Sequence, residues 1–310
     1  MSGERPFQRG IALMLVLWVL ALLTIIAMGL TATQRTESVL AGNQLDVARF
    51  RAAAEASVNY AALHLLTSPV VLEEDADTWV PDGVARPWRF AGESLEITVF
   101  NEASRIDLNK APKDLLGALF TAVGLPEDAA VALADAVEDW RDANDLTQLN
   151  GAEDGDYENA GRSYGAKDGP FDSVEELQQV LGVNRDIYRT LAPALTVDSG
   201  SANVDQEFAQ TLVQAAVQGI SLEEAELLQQ EKDALAEAGA TGAAVLSRGG
   251  PLYRIRVTRR VEEQAGLSME ALLLIEPGRR PPFSVLWRRF GLVANTPYSS
   301  ADEGDADAGI

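Results

Sequence analysis

Residues 11–30 read IALMLVLWVLALLTIIAMGL. Eighteen of these twenty residues are apolar and none is charged. A helix rises about 1.5 Å per residue, so this segment would span about 30 Å, the thickness of the hydrocarbon core of a bilayer. The sequence therefore predicts a transmembrane helix over 11–30.

The charges on either side of this segment predict its orientation. Arg5 and Arg9 precede it, whereas the strongly acidic bulk of the chain follows it. Because basic residues favour the cytoplasmic side, we expect the first ten residues in the cytoplasm and the rest exported. In a bacterium with two membranes, this places a single-pass protein in the inner membrane with its C-terminal domain in the periplasm.

A second apolar pattern continues beyond the transmembrane segment. Apolar residues recur at spacings of 3, 4, 4, 3 and 4, which is typical of one face of an amphipathic helix; they are Val47, Phe50, Ala54, Val58, Ala61 and Leu65. The sequence predicts one long helix from about Ile11 to Leu66, ending before Ser68-Pro69.

Composition excludes several classes of function. The 310 residues contain 25 Lys and Arg against 47 Asp and Glu, a net charge of −22, with no cysteine and a single histidine, His64. Thiol nucleophiles, zinc fingers and sites with several histidines are therefore excluded. No phosphate-binding loop is present, and the single histidine lies close to the predicted membrane helix, so we expect no enzyme activity.

The junction before the apolar helix carries a family resemblance. A short basic leader ends in Gln8-Arg9-Gly10, and Ile11 opens the apolar run. This resembles the signal of type IV prepilins and pseudopilins, which implies cleavage by prepilin peptidase between Gly10 and Ile11 and methylation of the new amino terminus. A secretory signal peptide, whose apolar core is usually shorter, and an unprocessed signal anchor are the alternatives.

Leu15 indicates which type of pseudopilin the helix resembles. Most members of that family have Glu at this position, where the partner of the carboxylate is the amino terminus of a neighbouring subunit. A carboxylate without a partner is costly in a membrane, so an apolar residue suits a subunit at the distal tip. In this respect, the helix resembles the K-type minor pseudopilins of type II secretion systems (the GspK family).

Membership in this family would imply a structural role in protein secretion. The expected partners are the I-type and J-type minor pseudopilins, prepilin peptidase and the inner membrane, and the outer-membrane secretin or secreted substrates are further candidates. We expect Leu15 and the stripe from Val47 to Leu65 to form the interface with other pseudopilins. Packing of the stripe on the chain's own sheet is an equal alternative.

The exported part is expected to have an α+β fold. Alternating apolar residues predict a strand within 88–100, helical patterns run from about 112 to 238, and three more strands follow near 252–261, 268–275 and 283–289. An antiparallel sheet interrupted by an all-helical insertion results. The expected division is 1–10 leader, 11–30 transmembrane helix, 31–67 continuation of the helix, 68–102 first part of the α+β domain, 103–198 helical insertion, 199–290 remainder of the domain, and 291–310 acidic disordered tail.

The helical region contains a weak internal repeat. The segment from Ile106 to Leu125 resembles the segment from Ala202 to Ile220, and both resemble helix-hairpin-helix motifs. Such motifs bind DNA phosphates in other proteins, so a membrane-anchored periplasmic DNA-binding protein for DNA uptake is the alternative function. Acidic residues follow both hairpins, however, and would repel phosphate, so we expect no nucleic acid as a partner.

Negative charge is concentrated in residues 127–176, which contain 15 acids and 3 bases. Within this block, residues 139–159 bring seven acids together around Asn144, Asn150 and two glycines, and we call 139–159 the acidic loop. Calcium prefers hard oxygen ligands on such an irregular loop, although composition alone favours a merely solvated acidic segment, and the spacing does not match an EF-hand. The K-type resemblance implies calcium here. The expected ligands of Ca²⁺ are Asp142, Asp145, Glu153, Asp154 and Asp156.

Overall fold

The computed structural model describes residues 9–67, 79–237, 249–259 and 266–293. The predicted leader, apart from its last two residues, and the predicted tail beyond residue 293 lie outside these ranges. The helices are α1 Arg9–Thr67, α2 Lys113–Ala122, α3 Glu127–Arg141, α4 Asp154–Asn159, α5 Arg185–Leu191, α6 Thr211–Gln218 and α7 Leu222–Glu237. The strands are β1 Asp82–Phe90, β2 Glu93–Asn101, β3 Ile106–Asp107, β4 Leu195–Thr196, β5 Leu252–Arg259, β6 Gly266–Ile275 and β7 Phe283–Val293.

The chain divides into two structural units after Ala53. The first unit contains the apolar half of α1, in which Leu13–Leu30 has a mean hydropathy of 2.7 and no buried residue. By length and composition this helix can cross a membrane. The predicted helix is therefore present, and it begins at Arg9, two residues before the expected start.

A five-stranded antiparallel sheet forms the centre of the second unit, with the strand order β1-β2-β5-β6-β7. Its buried face carries alternating apolar residues such as Leu95, Ile97 and Val99. The last turns of α1 lie across this face, since Tyr60 stacks on Trp88 of β1 at 5.0 Å and Glu55 pairs with Arg288 of β7 at 3.8 Å. The expected α+β class is confirmed.

The single strand predicted within 88–100 is in fact a hairpin. Ala91 and Gly92 form a two-residue turn between β1 and β2, and both have positive φ angles, 50° and 85°. This geometry matches the right-handed twist of paired strands. The prediction missed the turn because alanine is an unusual residue at such a position.

All helices from α2 to α7 lie between β2 and β5. The short parallel pair of β3 and β4 joins the two ends of the segment from Ile106 to Thr196, close to the expected limits of 103–198. The helical region then continues through α6 and α7 to Glu237, within the segment expected to belong to the remainder of the domain. A separate core fills it, including Phe120, Val137 and Tyr157.

Buried polar groups attach the helical region to the sheet. Arg254 of β5 forms an ion pair with Glu102, whose side chain is fully buried, and its Nε donates to Glu102 Oε2 at 2.9 Å. Thr196 of β4 donates to the same carboxylate. Because a buried charge without its partner is costly, this pairing fixes where the helical region joins the sheet.

Two helix starts can be compared with what the local sequence predicts. Asp107 and Asn109 are suitable capping residues for a helix that starts near Pro112, but the N-cap of α2 is Pro112 itself, without a side-chain hydrogen bond. Asp107 Oδ2 instead accepts from Gly200 N at 2.7 Å, and Asn109 exchanges hydrogen bonds with the backbone of Phe171. The sequence also predicts a capped helix that starts at Asp172 or Ser173. Ser173 is the N-cap, as predicted, but the helix that follows is a 3₁₀ helix over Val174–Gln179.

Candidate functional site: the acidic loop and the long helix

The acidic loop is held in place by two buried carboxylates on α3. Asp135 accepts hydrogen bonds from the backbone and side-chain nitrogens of Asn150, at 3.1 and 3.3 Å. Asp139, which is fully buried, accepts from Gln148 N at 3.0 Å. These residues follow the helical period of α3, so one face of the helix anchors the loop that follows it.

Gly151 lies close to this anchor. A Cβ atom there would overlap Asp139 Oδ2. Any other residue at this position would therefore require either the Asp139 side chain or the loop to move. The glycine and the buried carboxylate are packed as one unit, and together they set the path of the chain toward Glu153.

Glu153 is the most perturbed acid of the loop. Its side chain is 8% exposed, and Oε1 has no hydrogen-bond partner. Burial, followed by the negative charges of Asp139 and Asp168, raises the pKa of Glu153 to about 7. A buried carboxylate oxygen without a donor needs a compensating group, and a proton or a cation can supply one.

Asp168, which is not among the five predicted ligands, acts electrostatically on Glu153. Asp168 is exposed, and partial desolvation, followed by the charges of Asp154, Asp145 and Asp142, raises its pKa. Its backbone has a positive φ of 54°, which is uncommon for a residue other than glycine. The dipeptide Asp168-Gly169 could have predicted a turn at this position, since Asp-Gly is typical of turns.

Four of the five expected calcium ligands take part in these electrostatic interactions. Asp142, Asp145 and Asp154 act electrostatically on Asp168, while Asp142 and Asp145 also act on Glu153. Asp156 is used differently: its Oδ2 accepts from Glu153 N at 3.1 Å and so stabilises the start of α4. The structure therefore gives Asp156 a capping role and adds Asp168 to the acids that act on one another electrostatically.

The donor set matches calcium in chemistry, because every candidate is a carboxylate and Glu153 Oε1 is buried without a partner. Over the described residues, however, no group of three or more acidic or histidine side chains is arranged so that it could hold a metal ion as it stands. Ion binding would require the side chains to move toward one another. The assignment of ligands stays a prediction.

The residues expected at the pseudopilin interface fall into two groups. Leu15 is 63% exposed, and Val47 is half-buried. Phe50, Ala54, Val58, Ala61 and Leu65 are each at most 3% exposed. Four of these belong to the second unit, and their side chains pack within the chain: Ala54, Val58, Ala61 and Leu65. Contact with other subunits stays a prediction for Leu15 and Val47. Gly10 and Ile11 lie in the first turn of α1.

Comparison with known proteins places the chain in a family. Residues 96–199 match the family model described as type II secretion system (T2SS), protein K. The type II secretion system protein K of Pectobacterium carotovorum subsp. carotovorum is 29% identical over 263 residues, which is 74% of this chain and 76% of that protein. The protein of the same name from Aeromonas hydrophila is 30% identical and covers 64% of this chain and 67% of its own.

A solved structure has the same fold. It is a chain in the crystal structure of the GspK-GspI-GspJ complex from the type 2 secretion system of enterotoxigenic Escherichia coli, with a TM-score of 0.58 and 19% identity, covering 83% of this chain and 99% of that chain. The apolar helix, the interrupted antiparallel sheet and the sequence relatives lead to one conclusion. This chain belongs to the type II secretion system protein K family, the K-type minor pseudopilins.

Proposed function

We propose that the protein is a structural subunit at the tip of a pseudopilus, where it supports pseudopilus assembly and export of proteins across the outer membrane. The observation that carries this proposal is Leu15 within an uncharged apolar helix. An apolar residue there needs no partner from a subunit above it. The helical region between β2 and β5 adds bulk that further stacking would have to accommodate, which suits a subunit that ends the filament.

The proposal includes the partners and the location. I-type and J-type minor pseudopilins are the proposed neighbours, supported by the complex in which the structural relative was crystallised. The apolar helix supports anchoring in the inner membrane, with the second unit in the periplasm. Prepilin peptidase would process the leader and methylate the new amino terminus, and secretin or secreted substrates would be met beyond the tip.

Processing of the leader tests the proposal most directly. In cells with prepilin peptidase, mass spectrometry should show loss of the first ten residues and methylation of Ile11. Gly10→Leu should prevent both changes, while Gly29→Leu, a matched glycine with no neighbouring atom within 4 Å of an added Cβ, should leave them intact. An unshortened protein in the presence of the peptidase would contradict the proposal and favour a plain signal anchor.

We also propose that the acidic loop binds calcium. Glu153, Asp142, Asp145 and Asp154 would contribute oxygen ligands, with Asp168 as an additional candidate. The ion would supply positive charge that offsets repulsion among these carboxylates and would order the loop. Buried Asp135 and Asp139 would act from α3 by fixing the backbone that carries the ligands.

Calorimetry and thermal unfolding test this second proposal. Calcium should raise the unfolding temperature of the wild type, and the gain should be lost in Glu153→Gln and Asp154→Asn. Asp156→Asn should keep most of it, because that side chain caps α4. Equal loss in all three variants would contradict the ligand assignment, and absence of binding at millimolar calcium would rule out the site.

A further inference from the structure

The two helical hairpins are repeats at the level of individual hydrogen bonds. In both turns, matching backbone donors and acceptors are 95 positions apart: Leu125 N to Phe120 O and Ile220 N to Ala215 O, Gly124 N to Thr121 O and Gly219 N to Ala216 O, Ala130 N to Pro126 O and Ala225 N to Ser221 O. Both turn glycines have positive φ angles, 89° and 68°. This offset aligns α3 with α7 residue by residue.

The outer face of α3 is covered by the chain itself. Leu133 and Trp140 are 5% and 3% exposed. The ring of Trp140 lies 5.9 Å from that of Tyr157 and 6.2 Å from that of Phe171, both in the segment that follows α3. In the first hairpin, this helix face is therefore an internal packing surface.

The equivalent face of α7 is exposed. Leu228 and Leu235, which correspond to Leu133 and Trp140, are 40% and 53% exposed, and the neighbouring Leu227 is 65% exposed. At about 100° per residue, these three leucines fall within an arc of about 100°. Ala225, which is buried, lies about 110° from the middle of this arc, and α7 packs against its neighbour α6.

Acidic residues stand among these leucines. Glu224 and Glu231 project within the same arc, and Leu222–Glu237 contains six acids and one base, Lys232. Exposed apolar side chains surrounded by charge are typical of interaction sites, and negative charge favours a positively charged partner. We call the surface formed by Leu227, Leu228, Leu235, Glu224 and Glu231 the α7 face.

We propose that the α7 face binds a basic amphipathic segment of another protein, whose apolar residues cover the leucines while its Lys or Arg residues pair with the glutamates. The residues that follow α7, 238–248, read AGATGAAVLSR and offer only one base and two large apolar residues. This composition is a poor match to three leucines and several acids. The partner is therefore a separate chain.

Cysteine labelling tests the proposal, because the chain has no cysteine of its own. Leu228→Cys and Leu235→Cys are introduced singly into the full chain in a nanodisc of neutral lipid, and their rates of reaction with a maleimide are measured. The controls are Leu149→Cys, at a 94% exposed position in the acidic loop, and Leu133→Cys, at the buried equivalent of Leu228. Circular dichroism verifies that each variant keeps its helix content.

The probe is a synthetic helical peptide with leucines on one face and lysines elsewhere. At about ten times its Kd it should slow labelling of Leu228→Cys and Leu235→Cys by about tenfold. It should leave Leu149→Cys unchanged. A matched peptide with glutamate in place of lysine should give no protection. These results together would support the proposal.

Each other outcome overturns it. If both α7 variants react as slowly as Leu133→Cys without peptide, the chain's own residues 238–248 cover the face. Equal protection by the two peptides would mean that charge plays no part, and equal protection of Leu149→Cys would mean unspecific adhesion to acidic surface. Absence of protection by the lysine peptide would show that no basic segment binds.

Discussion

Asp135 is a single residue on α3 that binds both Lys113 of α2 and Asn150 of the acidic loop. It is 2% exposed, and Lys113 Nζ lies 2.8 Å from its Oδ1. Burial would raise the pKa of Asp135, but the hydrogen bonds from Lys113 and Asn150 outweigh it and lower the pKa below 3.8. The ionised carboxylate is therefore the form that stabilises the folded protein.

This pKa sets the direction of a pH effect. A lowered folded-state pKa contributes stability above the unfolded value of 3.8, and the contribution disappears as the pH falls through the folded-state pKa. Asp135→Asn should cost about 1–3 kcal/mol at pH 7 and progressively less in acid. Urea unfolding across this pH range measures it, with exposed Asp114→Asn on α2 as the control. A cost that does not change with pH would contradict this role of the charge.

At the scale of the element, the turn between β1 and β2 carries a strained residue. Ala91 has a φ of 50°, where an alanine side chain is unfavourable by roughly 1–2 kcal/mol relative to ordinary conformations. Gly92 occupies the other turn position, with a φ of 85°. The sequence Phe-Ala-Gly-Glu does not predict a hairpin, because the usual turn sequences are Asn-Gly and Asp-Gly.

Replacement of Ala91 should stabilise the protein. Ala91→Asn should raise the free energy of unfolding by about 0.5–1 kcal/mol, because asparagine adopts positive φ more readily. The thermal unfolding midpoint should rise accordingly. Ala85→Asn, on the exposed part of the same strand, is the control and should give no increase. A lower midpoint for Ala91→Asn would contradict the turn assignment.

At the scale of the whole molecule, charge argues against DNA binding. The chain carries a net charge of −22. The first turn of α3 contains Glu127 and Asp128, and the first turn of α7 contains Glu223 and Glu224, where a phosphate would approach a hairpin. We expect no retention of the full chain on immobilised DNA at 50 mM salt. Binding that weakens steeply with added salt would contradict this and favour the alternative of DNA uptake.

Hydrophobic periodicity and the distribution of charge were sufficient to predict much of the secondary structure and the position of the acidic loop. The uncharged run 11–30, the stripe from Val47 to Leu65 and the alternation at Leu95, Ile97 and Val99 are local patterns, so the sequence alone determined the long helix and the α+β class. It also located the acidic loop. Local patterns carry this information because each is repeated over several turns or residues.

The arrangement of residues that are distant in the sequence follows from the tertiary structure alone. There the charge of Asp168 acts on Glu153, Asp156 caps α4, Asp135 binds Asn150, and Arg254 pairs with Glu102 across 152 positions. The structure also shows that the repeat leaves Leu228 exposed where Leu133 is buried. These outcomes depend on which surfaces cover one another, and burial of a side chain is a property of the folded chain, not of the local sequence.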